Sequence, residues 1–204
     1  MHSRSPSVSI VTPLFNREGL IGETIQSVLQ QTCSDWEMLV VDDGSTDDSF
    51  AVAAKFGWQD KRIIVSRRQS QTKGANVCRN EGLAYAYGKY VVFLDSDDLL
   101  AKHCLERRIQ NTEQGSKDFD ANVFPMRHFR DQPGDMQSCW FAVTPESMHL
   151  TGFLDGPLWG PTCVFWRRAT LMEMRVFADH LPSWQDWELH VRALINGRRF
   201  NMCD

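Results

Sequence analysis

Through the first hundred residues, short apolar segments of two-residue period alternate with segments of helical period, and this constrains the fold more than any other feature. Val8-Ser9-Ile10-Val11-Thr12 is alternating and β-branched, and Pro13 predicts its end. Asn16 is placed to cap a helix in which Leu20, Ile21, Ile25, Val28 and Leu29 share one face. Further strands are expected over 36–41, 62–65 and 90–94. Between them fall a helix through Phe50 to Ala54, capped by Thr46 or Asp47, and another over 75–87 that Gly88 ends. Such a run of βαβ units predicts an α/β fold with a mostly parallel sheet, flanked by helices and joined by right-handed crossovers.

Beyond Asp98 the regularity falls away. A helix is expected over 103–114, strands over 121–124 and 162–166, and a helix starting near Ser183, where Ser183-Trp184-Gln185-Asp186 has the form of a capping box. Residues 131–160, with several prolines and glycines, read as a variable, substrate-facing region. The chain reads as one domain over 1–204, with a regular Rossmann-like half at 1–100 and a less regular half at 101–204. The run Arg199-Phe200-Asn201-Met202 resembles the start of another strand, which suggests a piece of a longer parent.

Composition excludes more than it identifies. A net charge of -4 with scattered basic residues argues against a nucleic-acid surface. No apolar run approaches the ~20 residues of a membrane span, and no signal-peptide core follows Met1, so a cytoplasmic location is expected, with peripheral association at the inner membrane face as an option. Six dispersed cysteines without a Cys-x-x-Cys pair indicate reduced thiols.

Two of the expected strands run straight into carboxylates. Residues 36–41 lead into Asp42-Asp43-Gly44-Ser45-Thr46-Asp47-Asp48, and residues 90–94 into Asp95-Ser96-Asp97-Asp98. In one parallel sheet both clusters lie on the carboxyl edge, where open α/β sheets bind ligands. Concentrated negative charge there calls for a cation or a donor-rich ligand.

Val8 to Asn16, then Val40-Val41-Asp42-Asp43-Gly44-Ser45-Thr46-Asp47, then Arg79-Asn80-Glu81-Gly82 before Gly88 to Asp98, together resemble a family 2 inverting glycosyltransferase of the A-type, Rossmann-like fold. The resemblance implies a nucleotide-diphospho-sugar transferase, with a nucleotide-binding half at 1–100 and an acceptor and catalytic half at 101–204. Asp95-Ser96-Asp97 matches the family's Asp-x-Asp signature, which implies Asp97 as a ligand of Mn²⁺ or Mg²⁺ and Asp95 toward the metal or the ribose. Hard oxygen ligands suit those ions. Asp98 is left open. The resemblance further implies Thr12, Pro13 and Asn16 in the first nucleotide loop, Asp42 at the base edge and Arg79 near the diphosphate. Lys73-Gly74 is a further candidate for the donor.

Trp184-Gln185-Asp186-Trp187-Glu188-Leu189, followed by Arg192, resembles the family's catalytic segment, with Gln185 where Glu is usual. Asp186 is the implied base for the acceptor hydroxyl, with helix capping as its alternative role. Trp159, Trp166, Trp184 and Trp187 are candidates for stacking on sugar rings, or for core packing. His103 and His180 are candidates to approach the metal or, more in keeping with lone histidines, structural residues.

The expected activity is transfer of a sugar from a nucleotide diphosphate, a uridine one first, to a hydroxyl on a glycan or lipid-linked acceptor in surface polysaccharide or glycoconjugate synthesis. The alternative is a non-catalytic nucleotide- or glycan-binding relative. A phosphoryl-transfer receiver domain is disfavoured because the first strand ends in Thr12-Pro13 and not in acids. A nucleotidyltransferase is disfavoured by the lack of a glycine-rich, Arg-containing loop after that strand.

Overall fold

The computed structural model describes residues 5–116, 118–136, 150–153, 156–174, 176–181 and 183–203. Within the irregular stretch, residues 137–149, 154 and 155 lie outside the described residues. The first elements are β1 (Val8–Leu14), α1 (Ile21–Leu29), β2 (Trp36–Asp42), α2 (Ser49–Gln59), β3 (Ile63–Arg67), α3 (Ala75–Ala84) and β4 (Tyr90–Phe93). There follow α4 (Cys104–Gln114), β5 (Ala121–Val123), α5 (Leu150–Phe153), β6 (Val164–Arg167), α6 (Arg168–Met174), α7 (Gln185–Ile195) and β7 (Phe200–Met202). The strands form one seven-stranded sheet in the order β3-β2-β1-β4-β6-β5-β7. β1 to β4 pair in parallel, β6 runs antiparallel to both β4 and β5, and β7 is parallel to β5.

The two-residue period of the strands divides the core between two faces. Val8, Ile10, Leu14, Met38, Val40, Val92 and Leu94 pack with Ile21, Ile25 and Val28 of α1, Ala53 of α2 and Leu105 of α4. Val11, Leu39, Val91 and Phe93 point the other way, to Leu83 of α3, Leu171 of α6 and Leu189 and Ala193 of α7. Strands buried on both faces are what helix-covered parallel sheets require, and each large side chain so buried contributes about 1.5–3 kcal/mol. On the second face His190 of α7 is buried parallel to Trp166, with ring centroids 5.9 Å apart, and burial pushes it down to about 3, so it packs as a neutral ring. Trp159 and Trp166 are core residues.

Three local expectations are corrected. Pro13 does not end the first strand, which continues to Leu14 opposite Asp42. The Val11 carbonyl accepts from Leu94 and the Leu14 carbonyl from Asp43, so by alternation Pro13 faces the β4 side. There the β1–β4 ladder stops at Val11 and Phe93, and the missing N–H leaves no bond unmade. Gly88 does not end α3, which stops at Ala84. A Cβ at Gly88 would sit 2.4 Å from the Ser9 backbone nitrogen, so the residue is small because β1 passes against it. The helix after Ser183 has no capping box: its N-cap is Trp184, in the left-handed region at φ 62, with no side-chain cap hydrogen bond. That conformation costs a non-glycine residue about 1–2 kcal/mol.

Gly88→Ala is expected to lower stability by about 3 kcal/mol, because the clash is with backbone and cannot be relieved by a rotamer change. Urea denaturation monitored by circular dichroism measures it, and an unchanged midpoint would refute the packing account.

Candidate active site

After β1 the chain steps to β2 and β3 on one side, then returns through α3 to place β4 on the other. The carboxyl ends of β1 and β4 therefore flank a topological switch point, where adjoining loops part and leave a crevice. It holds a cavity of about 440 Å³ lined by Pro13, Leu14, Phe15, Arg17, Asp43, Gly74, Ala75, Arg79, Asp95, Ser96 and Asp97.

The loop after β1 is tied to the loop after β2. Asn16 does not cap α1, whose N-cap is Leu20; it sits at φ 50, and its carboxamide oxygen accepts from the Thr46 N–H at 2.9 Å. Ser45 Oγ accepts from Asn16 N–H at 3.1 Å, and Ser49 Oγ from Arg17 N–H at 2.6 Å. Asn16 thus shapes the rim without lining the cavity, whereas Pro13 lines it. Thr12 is fully buried inside β1, away from the wall, and its hydroxyl has no hydrogen-bond partner among the described residues.

At the end of β2 the two adjacent acids have different surroundings. The Asp42 carboxylate is fully buried and accepts from the backbone N–H groups of Gly44 and Ser45 at 3.2 Å. Asp43 is the one on the cavity wall, where Arg68 Nε donates to it at 2.5 Å and the Gly74 N–H at 2.9 Å. Gly74 reaches this position at φ 128, a conformation that glycine adopts without penalty.

On the opposite wall Arg79 of α3 donates from an Nη to Asp95 at 2.5 Å. Arg79 is nearly buried, with its guanidinium carbon 5.2 Å from the ring centroid of Phe177. Asp97 is about half exposed and meets Arg17 Nε at 3.3 Å. Asp98 turns away from the cavity and accepts from the Thr162 hydroxyl at 2.7 Å. Burial pushes its carboxyl up to about 6; the charges of Asp95 and Asp97 add to the rise, while Thr162 and His128 oppose it. Among the described residues no three His, Cys, Asp or Glu side chains converge as a self-sufficient metal cage. Two carboxylates on one wall still fit Mg²⁺ or Mn²⁺, which keep waters and take a substrate phosphate.

α3 also couples this wall to α7. Asn76 donates to the carbonyls of Ala178 and Leu181, and Asn80 exchanges hydrogen bonds with the Phe177 backbone. Arg192, braced by Glu188, donates to the carbonyls of Met174 and Val176. The chain between α6 and α7 is thereby clamped, and Asp186 stands in the first turn of α7, within the electrostatic reach of Arg79 and Asp95. Burial raises its carboxyl above the usual carboxylate range, against the backbone N–H groups of Trp187 and Asp186 and the Arg79 charge; Asp95 adds to the rise. Asp186 is not part of the cavity wall.

The structure therefore brings Pro13, Arg79, Asp95 and Asp97 to one cavity, with Asp186 beside it, and leaves Thr12, Asn16 and Asp42 off the wall. Arg17, Asp43 and Ser96 were not singled out as site residues from the sequence. Arg17's one signal there is its place in the loop of Asn16, two residues beyond Phe15.

A family model described as glycosyl transferase family 2 matches residues 9–174, a stretch that stops short of Asp186. TuaG of Bacillus subtilis, named for teichuronic acid biosynthesis, is 36% identical over 160 residues, which are 78% of this chain and 62% of that protein. The poly(ribitol-phosphate) beta-glucosyltransferase of Bacillus spizizenii is 26% identical over 198 residues, covering 96% of this chain and 30% of that one. Among solved structures, S. aureus TarS 1-349 in complex with UDP-GlcNAc aligns with a TM-score of 0.78 at 27% identity, over 97% of this chain and 56% of that one. The chain thus spans less than two thirds of these relatives. The strand order, the acids at the ends of β2 and β4 and the family match converge: this chain belongs to glycosyl transferase family 2.

Proposed function

We propose that the chain catalyses inverting transfer of a sugar from a nucleoside diphosphate donor, a uridine one first, to a hydroxyl of a surface-polymer or glycoconjugate acceptor. The observation that carries this reading is one crevice whose wall presents Asp95, Asp97 and Arg79, with the half-buried Asp186 carboxyl beside it. The UDP-GlcNAc complex of TarS supports the donor class, and the names of TuaG and the Bacillus spizizenii enzyme support the acceptor class.

In this reading Asp95 and Asp97 hold a divalent cation, which when bound offsets the charge that develops on the departing diphosphate. Arg79 supports the same phosphates through a forked guanidinium. Asp43 is the acid available to the nucleoside, since Asp42 is sealed behind the Gly44 and Ser45 amides. Asp186 accepts the proton of the acceptor hydroxyl as that oxygen bonds to the anomeric carbon, and the bond from that carbon to the diphosphate oxygen breaks with its electron pair. A carboxylate raised by burial is the better base for this step. Among the described residues no helix is long and apolar enough to cross a membrane.

Asp186→Asn is expected to lower kcat about a thousandfold while nucleotide binding is retained. Because the base must be ionised, kcat/KM of the wild type falls as pH drops through the Asp186 pKa, and burial places that limb above the ordinary aspartate range. A pH profile without the limb, or an active Asn variant, removes Asp186 from the role.

Transfer from a panel of UDP- and GDP-sugars, with Mn²⁺, with Mg²⁺ and in EDTA, tests the donor and the cation together. Activity is expected with a UDP-sugar, lost in EDTA and lost in Asp97→Ala. Full rates in EDTA would overturn the cation assignment.

A further inference from the structure

Arg17 is a cation on the crevice wall that neither the family match nor the proposed chemistry accounts for. Its backbone is fixed: its N–H donates to Ser49 Oγ at 2.6 Å, Asn16 beside it is anchored by Thr46, and the Glu18 N–H donates to Asp47 at 3.2 Å. Its side chain bridges the crevice from the loop after β1 to the loop after β4. One Nη donates to the Asn16 carbonyl at 3.1 Å, Nε meets Asp97 at 3.3 Å, and the other Nη has no hydrogen-bond partner among the described residues.

The Arg17–Asp97 contact has the character of a temporary pairing. Its side chains are 44% and 45% exposed, and an ion pair that open contributes little and exchanges readily. Beside it Arg79 and Asp95 form a second, more buried pair at 2.5 Å. The wall therefore carries two guanidiniums matched to two carboxylates, with Asp43 neutralised separately by Arg68. A divalent cation together with a diphosphate bearing one negative charge on each phosphate adds no net charge. Such a pair of ligands can be taken up by exchange of partners, whereas either alone leaves charge unmatched.

Resting on the donor reading above, we propose that Arg17 is a donor-binding residue that exchanges partners. It neutralises Asp97 in the donor-free cavity, and it turns to the diphosphate when a divalent cation takes over Asp97. The proximity of the two groups, the exposure that makes the pair reversible and the anchored backbone that sets the reach of Arg17 all favour this exchange.

The test is calorimetric titration of the whole chain with inorganic pyrophosphate and with UDP, in EDTA and in saturating Mn²⁺. In EDTA, Asp97→Asn releases Arg17 and is expected to tighten pyrophosphate binding about fivefold; Arg17→Gln added to Asp97→Asn removes that gain. In Mn²⁺, Arg17→Gln alone weakens UDP about tenfold, the loss of one charge-assisted contact. Without nucleotide the same variant binds Mn²⁺ more tightly than the wild type, read by electron paramagnetic resonance. Thermal unfolding midpoints equal to the wild type tie these changes to binding and not to folding. A gain from Asp97→Asn that survives in the double variant, or UDP affinity unmoved by Arg17→Gln, overturns the exchange while leaving the donor reading standing. Absence of any pyrophosphate or UDP binding to the wild type in Mn²⁺ overturns the donor reading and the exchange with it.

Discussion

β1 is hydrogen-bonded on both sides only as far as Val11, where its ladder with β4 ends opposite Phe93, while its ladder with β2 continues to Leu14. One strand thus keeps one neighbour and loses the other just before the sheet reaches solvent. Parallel pairing brings the carboxyl ends of β1, β2 and β4 to the same edge, and the lost neighbour opens a gap there instead of a continuous rim. Pro13, which donates nothing, occupies the side that has been vacated. Polar groups gather at the gap because the sheet behind it is mostly apolar on both faces.

Most of the sheet was legible in the sequence because burial on both faces leaves near-continuous apolar strands, and Tyr90 to Leu94 could be nothing else. Element ends were less legible. Asn16 and Gly88 carry the composition of a helix cap and a helix stop, but tertiary contacts claim them first: Thr46 takes the Asn16 carboxamide, and Ser9 leaves no room beside Gly88. Neither partner is near in sequence, so no local rule could assign them. The strand after Arg199, by contrast, is present as β7, paired with β5.

At the site the same division holds. Asp95, Asp97 and Arg79 could be placed because a strand end and a helix start locate them within a residue or so. The resemblance points to Asp42 at the base edge, yet Asp43 is the one on the cavity wall, since adjacent residues at a strand end point to opposite sides and a turn decides which is sealed. Arg17 belongs to no motif. Its position depends on the loop after β1 being laced to the loop after β2, a fact of three dimensions. Asp186 was legible as an acid early in a helix, yet its nearness to Arg79 comes from the asparagines of α3 that hold residues 177–181.

α3 rests on the sheet at Gly82, where a Cβ would stand 2.5 Å from Val11 Cγ1 and 3.5 Å from a Val41 methyl. Arg79 lies one turn earlier on the same helix, and its guanidinium meets Asp95 at the end of β4. The bare backbone at Gly82 is thus a height gauge. It lets the helix settle onto the β-layer at the one elevation from which a side chain of fixed length arrives level with the strand tip. A bulkier residue there would jack the helix upward and tilt the guanidinium out of plane, so that a change confined to the hydrophobic interior would be read first as misaligned charge in the crevice.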